Sequence, residues 1–211
     1  SGVAFFFARR VRRDLAVPIG ILQSAWGGTL AEAWTSPEAL AAETSLPRYG
    51  DEWEARVQRA ANRYAQQKAE WTVAEAAARR SGEQPPKAPK MPLDALHRHR
   101  PGGLFHGMIA PLVGMSIKGV LWYQGEANAT RALEYRTLFP ALIRDWRRRF
   151  GRTDLPFLFV QLPGFRRPSL HPRAWAELRE AQAMALSLPG TAMAVTIDTI
   201  AAARCAGVRS I

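Results

Sequence analysis

The chain predicts an α/β fold, a parallel sheet flanked by helices, on three observations. Short apolar runs at residues 19–23, 117–121, 155–161 and 192–197 have strand length and are bounded by glycine, proline or polar residues. Between them lie stretches whose apolar residues recur at helical spacing. The run Ile117-Lys118-Gly119-Val120-Leu121 gives way to Trp122-Tyr123-Gln124-Gly125-Glu126-Ala127-Asn128, in which Gln124, Glu126 and Asn128 bring two amides and a carboxylate together. In an open parallel sheet, ligands sit outside the carboxyl ends of strands, which is where this cluster falls. A polar strand-to-helix turn would have a similar composition, so the surrounding residues must decide its role.

Taken in order, Val3, Phe6, Phe7, Arg10, Val11 and Leu15 predict an amphipathic helix with its arginines in water, stopped by Pro18. Residues 19–23 read as a strand. The turn Ser24-Ala25-Trp26-Gly27-Gly28-Thr29 follows, and its two glycines permit positive φ and close approach to a ligand. Ser36 before Pro37 has the form of an N-cap with proline at the first helical position, so a helix is expected from Pro37 to about Ala42. Trp53, Val57, Ala60, Tyr64 and Trp71 share one stripe and predict a single helix over 51–80, about 45 Å long at about 1.5 Å per residue. Residues 82–92, with four prolines, end it. The region 45–100 reads as a helical insertion with a Pro-rich exit, inside one domain spanning 1–211.

Farther on, Leu133, Leu138, Leu142, Ile143 and Trp146 mark a helix that ends at Arg147-Arg148-Arg149 with Gly151 beyond it. Residues 155–161 are a buried strand closed by Gln161. A helix over 175–186 carries Arg179 and Gln182, and a strand over 192–197 ends at Asp198.

Composition narrows the function. The 211 residues, 47% of them hydrophobic, suffice for one sizeable core. Lys and Arg outnumber Asp and Glu by 29 to 18, a net charge of +11. The arginines are scattered in short runs rather than gathered in a basic block, which argues against a nucleic-acid partner and is compatible with an acidic sugar. The single Cys205 excludes an internal disulfide and a cysteine-based metal site. His97 and His99 are flanked by arginines that would repel a cation, so no metal and no cofactor is expected. No run reaches the roughly 18 apolar residues of a membrane span. Residues 2–7 are followed by Arg9, Arg10, Arg12 and Arg13, the reverse of a signal peptide, and the chain is expected to begin inside a longer protein.

Five blocks resemble the sialate O-acetylesterase family of SGNH-type carbohydrate esterases: residues 18–29, Glu32-Ala33-Trp34-Thr35, Gly107 to Leu112, Trp122 to Asn128, and Trp175 to Gln182. They occur in the family's order. The resemblance implies a three-layer, flavodoxin-like fold, incomplete at both ends, and an acetylated sugar or glycan as substrate. It makes Gly27 an oxyanion donor through its backbone N–H, with Gly28 as the alternate and the Gln124 side-chain amide as the second donor. Glu126 and Asn128 would hold the loop, while Trp34, His106 and Arg179 are weaker candidates for contact with sugar. His106 stands where relatives are expected to have asparagine. A signal peptide upstream would make the protein secreted or periplasmic.

Ester hydrolysis also needs a nucleophile and a base. The family's Gly-Gln-Ser-type block is absent from this sequence, and no histidine follows His171, which itself precedes the last helix instead of following the last strand. A triad of Ser24, His106 and Asp198 would be the in-chain substitute. Without one, the chain alone is expected to be nearly inactive, with exposed apolar faces and poor solubility. A glycan-binding protein that kept the scaffold without the chemistry is the alternative.

Overall fold

The computed structural model describes residues 2–92, 97–165 and 170–197. Its three strands, β1 (Val120–Trp122), β2 (Phe157–Val160) and β3 (Thr191–Ala194), form a parallel sheet in the order β1-β2-β3. Parallel neighbours need a crossover, which α4 (Ala132–Arg149) supplies between β1 and β2 and α5 (Ala174–Met184) between β2 and β3. The register sets Trp122 beside Phe159 and Val120 beside Phe157. With side chains alternating along each strand, these four share the face that α4 covers.

Phe139 of α4 is the hub of the core. Its ring lies 6.2 Å from Trp122, 6.1 Å from Phe157 and 5.0 Å from Phe159 between centroids. Trp146 approaches Trp122 and Phe157 edge-on at 5.7 and 5.9 Å. Such edge and offset contacts suit the ring quadrupoles. The opposite sheet face is less covered: Leu121 remains 38% exposed.

The helices follow the expected pattern with a few differences. The first, α1 (Gly2–Leu15), buries only Ala8, leaving Phe5, Phe6 and Phe7 exposed with Arg9 lying over the Phe5 and Phe6 rings. These exposed rings, with Ile21 and Leu22, are the kind of surface behind the expectation of poor solubility. The next, α2 (Pro37–Ala42), is capped by Ser36, whose Oγ accepts from the Ala39 N–H. The longest, α3 (Tyr49–Ser81), closes at Gly82 in the left-handed conformation. Along its stripe only Trp53 is fully buried; Val57, Ala60, Tyr64 and Trp71 are half-covered, and the Trp71 indole donates to the Pro86 carbonyl at 2.7 Å. The Pro-rich exit therefore returns along the helix.

One expectation needs correction, and two side chains of α4 add detail to another. Residues 19–23 are outside the sheet, with Ile21 and Leu22 about half exposed; a strand requires a hydrogen-bonded neighbour, and none of the described strands pairs with this run. Leu133 is exposed on α4, because five residues at about 100° each place it some 140° from Leu138. Arg147, one of the three cations in the last turn of α4, is buried: its Nε donates to the Leu155 carbonyl at 3.0 Å and Nη2 to that of Pro189 at 2.7 Å, joining α4 to the segments before β2 and β3. Burial depresses its pKa.

Asp145, unremarked in the sequence, fastens α2 to α4. Its buried carboxylate accepts from the Ser36 N–H at 2.9 Å and the Ser36 hydroxyl at 2.8 Å. Asp145→Ala removes both acceptors and is expected to destabilise the fold by about 2–3 kcal/mol, readable as a lower urea midpoint. An unchanged midpoint would show that the cap holds α2 without the carboxylate.

His97 and His99 form a stacked column with Trp53, at 5.9 Å from Trp53 to His97 and 5.1 Å from His97 to His99. Burial, then His97 and Arg98, push the His99 pKa below its ordinary 6.5. The proton then prefers the unfolded chain. The His99 contribution to stability is complete above pH 6.5 and is lost as pH falls through the lower folded value. Melting temperature is expected to drop on acidification from pH 6.5, with a shallower drop in His99→Gln; identical slopes would remove His99 from the account.

Candidate active site

The Gly-Gly bend and the glutamine of the central cluster are brought together. Gln124 lies just beyond β1, and its Nε2 donates to the Thr29 carbonyl at 3.0 Å, one residue after Gly28. Gly28 has φ +70°, a conformation that glycine adopts without the Cβ penalty. Beside it, the Thr29 hydroxyl donates to the Trp26 carbonyl at 2.7 Å and accepts from the Trp34 indole at 2.8 Å, closing the turn. Both glycines are exposed, and among the described residues neither backbone N–H donates to another group. They share this with the Ala25, Trp26 and Thr29 N–H groups of the same turn.

The Gln124 amide is not free. Its second hydrogen goes to Asn128 Oδ1 at 2.7 Å, so the two donors of an NH₂ group are both used. Its orientation is fixed from the other side: the Trp122 indole, which can only donate, gives to Tyr135 Oη at 3.4 Å, and that hydroxyl donates to Gln124 Oε1 at 3.0 Å. Burial raises the Tyr135 pKa, keeping the hydroxyl protonated for this role. Both hydrogens of Gln124, the expected second oxyanion donor, are thus engaged within the protein, one of them at the Thr29 carbonyl beside the Gly27–Gly28 turn.

From Asn128 the network continues to α3. Asn128, buried, also accepts from the Ala31 N–H at 2.9 Å and donates to Glu32 at 2.9 Å. The buried Glu32 carboxylate pairs with Arg131, which reaches Glu134 at 3.2 Å, and Glu134 accepts from the Tyr49 hydroxyl at 2.8 Å. Burial and then the Glu134 hydrogen bond raise the Tyr49 pKa. The polar chain therefore runs from Trp122 to the first residue of α3. Sequence reading missed Glu32, Arg131 and Tyr135 as structural links; a carboxylate enclosed by Ala31, Ala33 and Trp34 was the available signal for Glu32.

Gly125 permits the bend between Gln124 and Asn128. Its φ is +152°, and a Cβ there would meet Leu162 at 3.2 Å, Leu178 at 3.3 Å and Gln182 at 3.4 Å. Gln182, fully buried on α5, bridges the tips of β1 and β2: Nε2 donates to the Gln124 carbonyl at 3.1 Å and Oε1 accepts from the Leu162 N–H at 2.9 Å.

Other candidates lie elsewhere. Trp34 is 3% exposed, edge-on to Trp122, so it is a core residue and not a sugar platform. Glu126 is exposed and makes no side-chain hydrogen bond to any described residue, in contrast to the expected loop brace; Asn128 is that brace. His106 is exposed on a π-helical turn against Phe105. Arg179 is half-buried on α5, with Nε enclosed and unpartnered among the described residues. Ser24 donates to the Met108 carbonyl at 3.2 Å and not to His106, so the serine–histidine pair that an in-chain triad needs is not formed; Asp198 lies outside the described residues. His171 is exposed and accepts from the Arg173 N–H.

A shallow cavity of about 380 Å³ opens at the same end of the sheet, lined by Glu126, Pro163, Phe165 and Trp175. A smaller one, about 180 Å³, lies at the amino ends of the strands between residues 114–117, Phe150 and Arg152.

Comparison with known proteins shows the family. The profile of the sialic acid-specific acetylesterase family of carbohydrate esterases matches residues 102–203. The sialate O-acetylesterase of Mus musculus is 34% identical over 212 residues, which cover 94% of this chain and 37% of the mouse protein. The Homo sapiens sialate O-acetylesterase is 32% identical over 173 residues, 77% of this chain and 25% of its own length. A crystal structure of a carbohydrate acetylesterase from Xanthomonas citri superposes with a TM-score of 0.62 at 34% identity, over 93% of this chain and 34% of that one. The chain spans about a third of the mouse relative's length. On these matches and the Gly-Gly turn tied to Gln124, the chain belongs to the sialate O-acetylesterase family of carbohydrate esterases.

Proposed function

We propose that this chain forms the oxyanion side of a carbohydrate O-acetylesterase site that removes acetyl groups from sialic acid or a related acetylated sugar. The observation that supports it best is the hydrogen bond from the Gln124 amide to the Thr29 carbonyl, which holds two unengaged glycine N–H groups at the carboxyl end of β1. When a nucleophile adds to the acetyl carbonyl, the oxygen gains negative charge, and donors already oriented toward it stabilise that charge without reorganising. Gly27 N–H is the first donor and Gly28 N–H the second, with Gln124, Asn128 and Glu32 positioning them.

The nucleophile and base are not among the groups gathered here. Donors and binding alone leave a residual acceleration of about 10³ to 10⁴ over water. Acetate release from O-acetylated sialic acid is therefore expected from the polypeptide that contains this chain and near buffer level from the 211 residues alone. Release by neither, with the protein folded, would overturn the reading.

A further inference from the structure

We propose that the cavity lined by Glu126, Pro163, Phe165 and Trp175 is a sugar subsite that takes a neutral pyranose ring, packed against the aromatic wall and hydrogen-bonded to Glu126 through its hydroxyls; this deepens, and rests on, the carbohydrate esterase reading. The two rings are in contact, 5.2 Å between centroids at 50°, and form one tilted aromatic wall; Phe165 is 56% exposed. Trp175 cannot swing away easily, because its indole N–H donates to the Pro163 carbonyl at 2.7 Å. A fixed ring face at the wall of an open pocket is what the C–H face of a pyranose needs, and a volume of about 380 Å³ accommodates one sugar residue with room for a substituent.

The remaining wall supplies polarity. The exposed Glu126 carboxylate has no described hydrogen-bond partner of its own, and an ionised carboxylate is acceptor-only, so it is matched to hydroxyl donors. As the charged member of this lining it favours a neutral ring over one presenting a carboxylate. Glu126 is two residues beyond Gln124, and Gln124 is bonded to the Gly-Gly turn, so the neutral ring would be the sugar next to the acetylated one, at one continuous end of the sheet. The smaller cavity, about 180 Å³ and at the amino ends of the strands, has neither an aromatic pair nor that position.

Saturation-transfer NMR on the chain with methyl β-D-galactopyranoside tests this without requiring turnover. Ring C–H protons of one face are expected to receive saturation. Phe165→Ala, at an exposed position, and Trp175→Ala are each expected to weaken binding by about tenfold, and Glu126→Gln by roughly threefold to tenfold. The methyl glycoside of N-acetylneuraminic acid is expected to bind more weakly than the galactoside. No saturation of the galactoside, or binding unchanged in Phe165→Ala and Glu126→Gln with circular dichroism intact, would overturn the subsite, as would tighter binding of the anionic glycoside. The galactoside carries no acetyl ester, so sugar binding by the chain with no acetate release by the longer polypeptide that contains it sinks the esterase reading and keeps the subsite, whereas acetate release by that polypeptide without sugar binding does the reverse.

Discussion

Gly27→Pro is expected to lower kcat for acetyl-ester hydrolysis by about 10² to 10³ in the enzyme that contains this chain, while Gly27→Ala stays close to wild type. The contrast isolates the N–H. Nothing lies within 4 Å of a Cβ built at Gly27, and the residue is not in the positive-φ region, so alanine is accommodated and retains the donor. Proline fills the same open space but has no N–H to offer. Rates on 4-nitrophenyl acetate, with melting curves for both variants, make the measurement. Equal rates for the two would show that the Gly27 N–H does not touch the developing charge.

Asn128→Ala is expected to cost about 3–5 kcal/mol in stability. The side chain is buried and is the junction of three hydrogen bonds, so truncation leaves the Ala31 N–H, one Gln124 hydrogen and a Glu32 oxygen without their partner at once. The Gly-Gly turn should loosen with it, since Gln124 loses one of the three hydrogen bonds that hold its side-chain amide. Asn128→Asp keeps the acceptor oxygen but sets a carboxylate against Glu32, and is expected to be no better. Urea unfolding of the chain, followed by circular dichroism, measures both. A loss below about 1 kcal/mol in Asn128→Ala would mean that the network is satisfied by other groups.

Local pattern was enough for most elements. Ser36-Pro37 identifies the start of α2, and the stripe from Trp53 to Trp71 gives α3 its length, since capping and 3.6-residue periodicity are properties of the segment itself. Strand ends and partners were less legible. Residues 19–23 have strand composition, yet a strand exists only where another backbone is beside it.

The site divides along the same line. That Gly27, Gly28, Gln124 and Asn128 belong to one functional cluster could be read from their blocks. Which of them is free to act could not. The acceptors that occupy Gln124 come from Thr29, 95 residues away, and from Asn128 across a turn. Glu126 and Asn128 look interchangeable in sequence, but on a turn of about three residues per revolution positions two apart point in different directions. Asn128 goes inward to Glu32 and Glu126 outward to the cavity. Likewise Trp34 is enclosed because Trp122 lies against it and the Trp146 indole donates to its carbonyl at 2.9 Å.

The sequence by itself therefore determined the α/β class, the helices, and the residues that gather at the strand tips, because these follow from periodicity, caps and short motifs. Only the tertiary structure decided which polar groups are already hydrogen-bonded and which face solvent, because a donor's availability depends on partners brought from distant parts of the chain.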